Sequence, residues 1–257
     1  MIAPTIKSAG GLHSVGVALS LPARLAPGET ILLNLDGTSR RYRVLRQSAE
    51  SDTVYTIMTQ FDIGSNSRFN TSTSIGNNYA GSTLQTVMEN WYNGLPAASQ
   101  AAIQAVSLNA YKYVWGSSYE YSTKSLGSTA ANQHVYPLDL EDIHMYFGGT
   151  GGSATDKTPG TFTGKQLREM FGIEYNEQKT LWLRSGDAGV STYALTVNHA
   201  YAGDSASVSS DQVDHLQYKR GMMVIDLANL EYTREARPHS VRIAVATNDP
   251  NNQKCLI

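Results

Sequence analysis

Ile31, Leu33 and Leu35 alternate with intervening residues and run into Asp36-Gly37, after which Arg41-Tyr42-Arg43-Val44-Leu45 resumes an alternating pattern. A period of two is the mark of a half-buried strand. Asp-Gly between two such runs suits a tight reversal, because glycine accepts the positive φ that the hairpin turn demands. The pattern predicts a β-hairpin and excludes an all-helical fold. Residues 53–59, Thr-Val-Tyr-Thr-Ile-Met-Thr, supply a third strand and extend the hairpin to a meander.

The pattern then changes period. Residues 62–81 are rich in Gly, Ser and Asn and predict a loop. Ser82 is a helix N-cap, and Leu84, Val87, Met88 and Trp91 form an inward stripe through about Tyr92. Pro96 opens a second short helix with Ile103 and Val106 turned inward. Residues 116–134 predict a polar loop, Leu138–Phe147 a helix capped by Asp139, 148–164 a glycine-rich loop, and 164–171 a fourth helix. Strands return at 181–183, 193–197, 222–227 and 241–246. Strands, then helices, then strands predict an α+β domain rather than βαβ repeats. Val15, Val17 and Leu19 alternate with Gly16 and Ala18, so residues 1–28 are expected to be an arm or a first strand, with 29–257 as one domain.

Composition narrows the function classes. The chain of 257 residues has only 16% charged residues and a formal net charge of −2, against a usual charged share of about 25%. General electrostatic binding of nucleic acid needs a basic face and is not expected. One cysteine, Cys255, allows neither an internal disulfide framework nor a multi-cysteine metal site. No apolar run approaches the roughly 18 residues of a membrane span. Fifteen tyrosines among many hydroxyl and amide side chains suit an exposed contact surface. The Met-Ile-Ala-Pro-Thr-Ile-Lys start lacks the pattern of a secretory signal. A virion protein released by lysis reconciles that start with a surface-like composition.

Trp182-Leu183-Arg184-Ser185 is followed about 55 residues later by Val241-Arg242-Ile243-Ala244. Tyr42–Leu45, Ser82-Thr83-Leu84 with Trp91-Tyr92, and Leu138 to Phe147-Gly148 precede them in order. This series resembles a domain family of bacterial surface and phage proteins marked by W-L-R-S-P and V-R-P-A signatures. Gly186 and Ile243 stand where that family has its two prolines. The resemblance implies a C-type-lectin-like fold, with mixed antiparallel sheets, several short helices and long polar loops. Trp182 and Leu183 are expected as apolar anchors on a central strand, and Ser185 completes the motif. Arg184 and Arg242 would hydrogen-bond buried carbonyls or carboxylates, with direct ligand contact as the alternative. The resemblance also implies a polar binding face within Gly186–Arg220. Tyr193, Asn198, His199, Tyr201 and Asp204 are the candidate contacts for a sugar or a protein.

Catalytic signatures are sparse. There is no G-x-S-x-G elbow and no P-loop, and the six histidines show no H-E-x-x-H spacing. Asp204, Asp211 and Asp214, and the stretch Asn248–Asn252, are oxygen-rich but are expected as solvated loops rather than a calcium site. Formylglycine-generating enzymes share the lectin-like scaffold, but their chemistry uses active-site cysteines that a single Cys255 cannot replace. The expected function is therefore a non-enzymatic structural or display protein of a phage virion (decoration, fibre or tail component), without a cofactor. Its partners would be other virion or surface proteins in a homo-oligomer or array, the arm would bind a neighbour, and a host receptor or glycan would meet the polar face. The alternatives are a bacterial cell-surface adhesin and an enzyme on the same scaffold.

Overall fold

The computed structural model describes residues 24–115, 121–147, 164–174, 177–200 and 205–235. The first strands are β1 (Thr30–Asn34), β2 (Ser39–Gln47) and β3 (Val54–Thr59). β1 and β2 pair antiparallel around Gly37, whose φ is +89°, as the Asp-Gly turn requires. Then come α1 (Thr83–Asn93), α2 (Ala97–Ala102), β4 (Ile103–Gln104), β5 (Val106–Trp115) and β6 (Tyr121–Gln133). The remainder is α3 (Leu140–Phe147), α4 (Gly164–Phe171), β7 (Lys179–Asp187), β8 (Tyr193–Ala200), β9 (Ser205–Gln212), β10 (Met222–Asp226) and β11 (Tyr232–Arg234).

Two sheets result. One has the order β11-β1-β2-β3-β10-β4 and the other β6-β5-β7-β8-β9. The second contains a parallel pair, β5 with β7, joined only at Lys112–Gly186 and Tyr113–Asp187. A single continuous apolar core includes Tyr42, Ile57 and Met223 of the first sheet and Trp182, Leu195 and Val197 of the second.

The α+β expectation holds, but the C-type-lectin-like expectation does not. Both sheets stay open, neither closes on itself, and the described residues contain only four short α-helices. The short motifs specify which side chains are buried, not the order in which strands pair, so they do not determine the architecture.

Two local expectations are also corrected. Ile103 and Val106 do not continue a helix: Ile103 is already extended, at φ −92° and ψ 122°, and Val106 opens β5. The expected polar loop at 116–134 is largely strand β6, paired along β5 from Val106–Gln133 to Trp115–Tyr121. The strand expected at 241–246 and most of the arm lie outside the described residues. Of the arm, Leu25 is buried and the Gly28 N–H donates to the Val44 carbonyl at 2.8 Å.

Candidate functional site

Of the expected contacts within Gly186–Arg220, the side chains of Tyr193 and Asn198 are described. Ala194 through Val197 are buried at successive positions, so β8 has both faces covered at its centre. α4 packs against β8 and β9 on one side. Tyr193, at one end of β8, is half-buried, and its hydroxyl receives the Gln212 amide at 3.3 Å. Asn198 is half-buried five residues along, about 17 Å away in extended chain. Its side-chain oxygen is buried and has no hydrogen-bond partner among the described residues. The His199 backbone continues β8 opposite Ala206, while Tyr201 and Asp204 lie outside the described residues. Asp211 is engaged locally, with His215 Nδ1 at 2.7 Å and the Gln217 amide on its other oxygen. Among the described residues, no group of three or more His, Cys, Asp or Glu side chains is placed to hold a metal.

The Trp182–Ser185 motif is deeply embedded. Trp182 donates through Nε1 to the Ser67 carbonyl at 2.9 Å and meets Phe69 edge-on at 5.7 Å. Leu183 is in the core. Arg184 fills the wedge where the parallel strands β5 and β7 separate. Its Nε donates to the Asn109 carbonyl at 3.2 Å, and its Nη1 to the Pro137 carbonyl at 2.8 Å and to Asp142 at 2.6 Å. Asp139 accepts from the Tyr111 N–H at 3.2 Å, so side chains replace ladder bonds that the departing strand cannot make. The Tyr113 hydroxyl donates to Asp139 at 2.6 Å, and the Ser185 hydroxyl accepts the Leu140 N–H at 2.8 Å. Together these bonds seat the start of α3 on β7. Burial raises the Asp139 pKa, against the pull of Arg184. Burial also opposes the charge on Arg184, but Asp142 and Asp139 outweigh it and hold the guanidinium protonated. Arg242 lies outside the described residues.

The accessible chemistry is on the β5–β6 hairpin, whose second strand lies where the sequence pattern predicts a loop. β6 is an edge strand of 13 residues. Leu126 pairs with Tyr111 across the hairpin and is 59% exposed. The Lys124 ammonium sits 3.9 Å from the centre of the Tyr111 ring and also reaches Glu141 of α3. Thr129 donates to the Asn109 side chain at 3.1 Å, and the Asn109 amide meets the Tyr111 hydroxyl at 3.4 Å. Met145, one helical turn beyond Glu141, is 47% exposed. The patch is therefore one ordered tyrosine with a cation on its ring, exposed apolar groups and a hydrogen-bonded amide–hydroxyl pair. At its far end, Glu89 of α1 accepts the His134 N–H at 2.9 Å, and His134 stacks on Tyr92 at 3.9 Å. These contacts fix the hairpin to the body. The one sequence signal for this patch was the Tyr111-Lys112-Tyr113 run; β6 itself is polar on both faces and has no apolar period.

A second concavity, an open groove of about 880 Å³, lies beside β11 and the 227–231 turn. Leu32, Tyr55, Leu227, Leu230 and Tyr232 supply its apolar lining, and Asp52 and Glu231 are among its charged groups. Among the described residues no helix is long and apolar enough to cross a membrane. No family model, no curated protein and no solved structure matches this chain.

Proposed function

We propose that this chain is a non-enzymatic display protein of a particle surface, with a phage virion as its setting. The outer face of the β5–β6 hairpin contacts a neighbouring protein. The observation that carries this reading is the ordered patch of Tyr111, Lys124 and Leu126 on a strand that pairs only with β5 among the described residues. A tyrosine already fixed by a cation loses little freedom on binding, and hydroxyl and amide groups around it adapt their hydrogen bonds to a partner. The low charge of the chain fits such contacts. The Lys124 ammonium covers one face of the Tyr111 ring, so a sugar stacking on that face would have to displace a cation. That favours a protein partner over a glycan. Many copies in a closed or repeating arrangement are expected, since particle surfaces are built by symmetry.

The test is to image purified particles from the source and locate the chain within them, beside a Leu126→Asp, Tyr111→Ala double variant. The expected result is regular positions for the natural chain. The variant should keep its near-ultraviolet circular dichroism and lose incorporation by about tenfold or more, as expected for removing central contacts. A chain absent from particles overturns the virion setting. Retention on bacterial cells would then favour a cell-surface protein. Normal incorporation of the variant overturns the hairpin as the contact face.

A further inference from the structure

Asn93-Gly94 is the single Asn-Gly step of the sequence, and it closes α1. Glycine has no Cβ to shield its backbone nitrogen, so at this step that nitrogen reaches the preceding asparagine side chain most readily. The fold does not itself call for glycine here. Gly94 has φ −83° and ψ −7°, which residues with a Cβ adopt in ordinary turns. A Cβ built on it would lie 3.5 Å from the Asn90 and Trp91 carbonyl oxygens, an ordinary contact. Hydrogen bonds hold the step. The Gly94 N–H donates to the Asn90 and Trp91 carbonyls at 3.1 and 3.2 Å, and the Leu95 N–H to the Tyr92 carbonyl at 3.0 Å. Gln100 of α2 closes over the turn. Its side-chain amide donates to the Asn93 carbonyl at 3.1 Å and to the Leu95 carbonyl at 2.8 Å, and its own carbonyl accepts the Tyr92 hydroxyl at 3.4 Å. Asn93 and Gly94 are both exposed, so water reaches them. A helix end is also the part of a helix that opens at least cost.

We propose that Asn93 deamidates spontaneously and that Gln100, by clasping the last turn of α1, sets the rate. When the turn opens, the Asn93 backbone leaves its helical conformation. The Gly94 nitrogen gives up its proton and attacks the Asn93 side-chain carbonyl carbon. A C–N bond forms, the side-chain amide leaves as ammonia, and a five-membered succinimide remains. Water then opens the ring at either carbonyl and leaves aspartate or isoaspartate at this position. The sum is asparagine and water giving a carboxylic acid and ammonia, with no oxidant and no cofactor. The product puts a negative charge at the C-terminal end of α1, where the helix already carries partial negative charge and its last turn holds no basic residue. The same turn carries Tyr92, which stacks on His134, so the new charge lies beside a contact that fixes the β5–β6 hairpin. The chemistry is independent of the display reading: it runs in the free chain whether or not the hairpin meets a partner.

The experiment ages the full natural chain in mildly alkaline buffer and maps deamidation by peptide mass spectrometry. Asn93 is expected as the principal site, seen as a pair of aspartate and isoaspartate peptides. Gln100→Ala, with native near-ultraviolet dichroism, should react about fivefold faster, as expected when local opening loses the net contribution of a hydrogen bond. In strong denaturant both chains should react faster still and at the same rate. Gly94→Ala should fold normally and give almost no product. Deamidation led by another asparagine overturns the site. Equal rates for the folded natural chain and Gln100→Ala overturn the clasp, and so does a rate that denaturant leaves unchanged. If Gln100→Ala does not fold, low denaturant opens the turn in the natural chain instead. The rate at Asn93 should then rise in step with amide hydrogen exchange at Gly94, and a rate independent of that exchange overturns the gate. Asn93→Asp reads the consequence: its urea midpoint should fall and be partly restored by salt, which screens the helix end. An unchanged midpoint overturns the charge effect.

Discussion

Gly186 has no room for a methyl group. A Cβ built on it would lie 2.9 Å from the Asn77 side-chain carbon and 2.9 Å from the Asn77 carbonyl oxygen. Asn77 cannot retreat, because its amide donates to the Asp187 and Tyr193 carbonyls at 2.6 Å each. Gly186 also pairs with β5 and β8 at once. Gly186→Ala should therefore cost about 1–3 kcal/mol, the usual penalty for overpacking, read as a lower denaturant midpoint at unchanged slope. Glycine at this position is thus a packing requirement of this chain. Lys219 gives a second residue-scale prediction. Burial lowers its pKa from 10.5 to about 8, opposed by Asp62. Between these two values the unfolded chain holds more protons at this site than the folded one, so stability rises with pH across that window. Below pH 8 the folded protein carries a charge that burial disfavours. Lys219→Met should flatten the rise in midpoint between pH 8 and 10.5 in urea titrations. An unchanged slope would show that another group titrates there.

At the scale of elements, legibility followed the period of burial. α1 was readable because a capping serine precedes a single inward stripe. Ser82 accepts the Gln85 N–H at 3.0 Å, and Leu84 and Met88 are buried as the spacing requires. β1 and β2 were readable because one face is apolar and a glycine turn joins them. β6 was not, because Ser125, Thr129, Ala131 and Asn132 are exposed while Ala130 is the buried apolar residue among its described side chains, so a polar strand looks like a loop. β9 was missed for the same reason, with Val208 its buried apolar residue. The candidate site was less legible than the fold. Its members come from two strands and a helix, and its central feature, a lysine over a tyrosine ring, depends on register that bulges shift at Ala110/Tyr111 and Tyr113/Trp115. On β8, the polar letters of Asn198 and His199 gave no hint that Ala194–Val197 at the strand's centre are buried.

On the scale of the whole molecule, the question is whether two open sheets behave as one unit. Asp62 follows β3 of the first sheet and accepts from Lys179 of β7, in the second, at 2.7 Å. It also accepts from Arg220, which leads into β10 and whose Nε donates to the Phe171 carbonyl at the end of α4 at 3.0 Å. One carboxylate thus ties both sheets and a helix together over the continuous core. Breaking a buried pair from one side leaves the other charge uncompensated, at a cost of about 3–5 kcal/mol. Asp62 is partly open to solvent and Glu177 also meets Lys179, which places Asp62→Asn at the low end, about 3 kcal/mol. If the shared core couples the sheets, the variant unfolds at lower denaturant in one transition. Tryptophan fluorescence should then coincide with far-ultraviolet dichroism. Two separated transitions in the variant, but one in the natural chain, would assign the coupling to Asp62. Two transitions in both would mean that the shared core does not bind the sheets into a single folding unit.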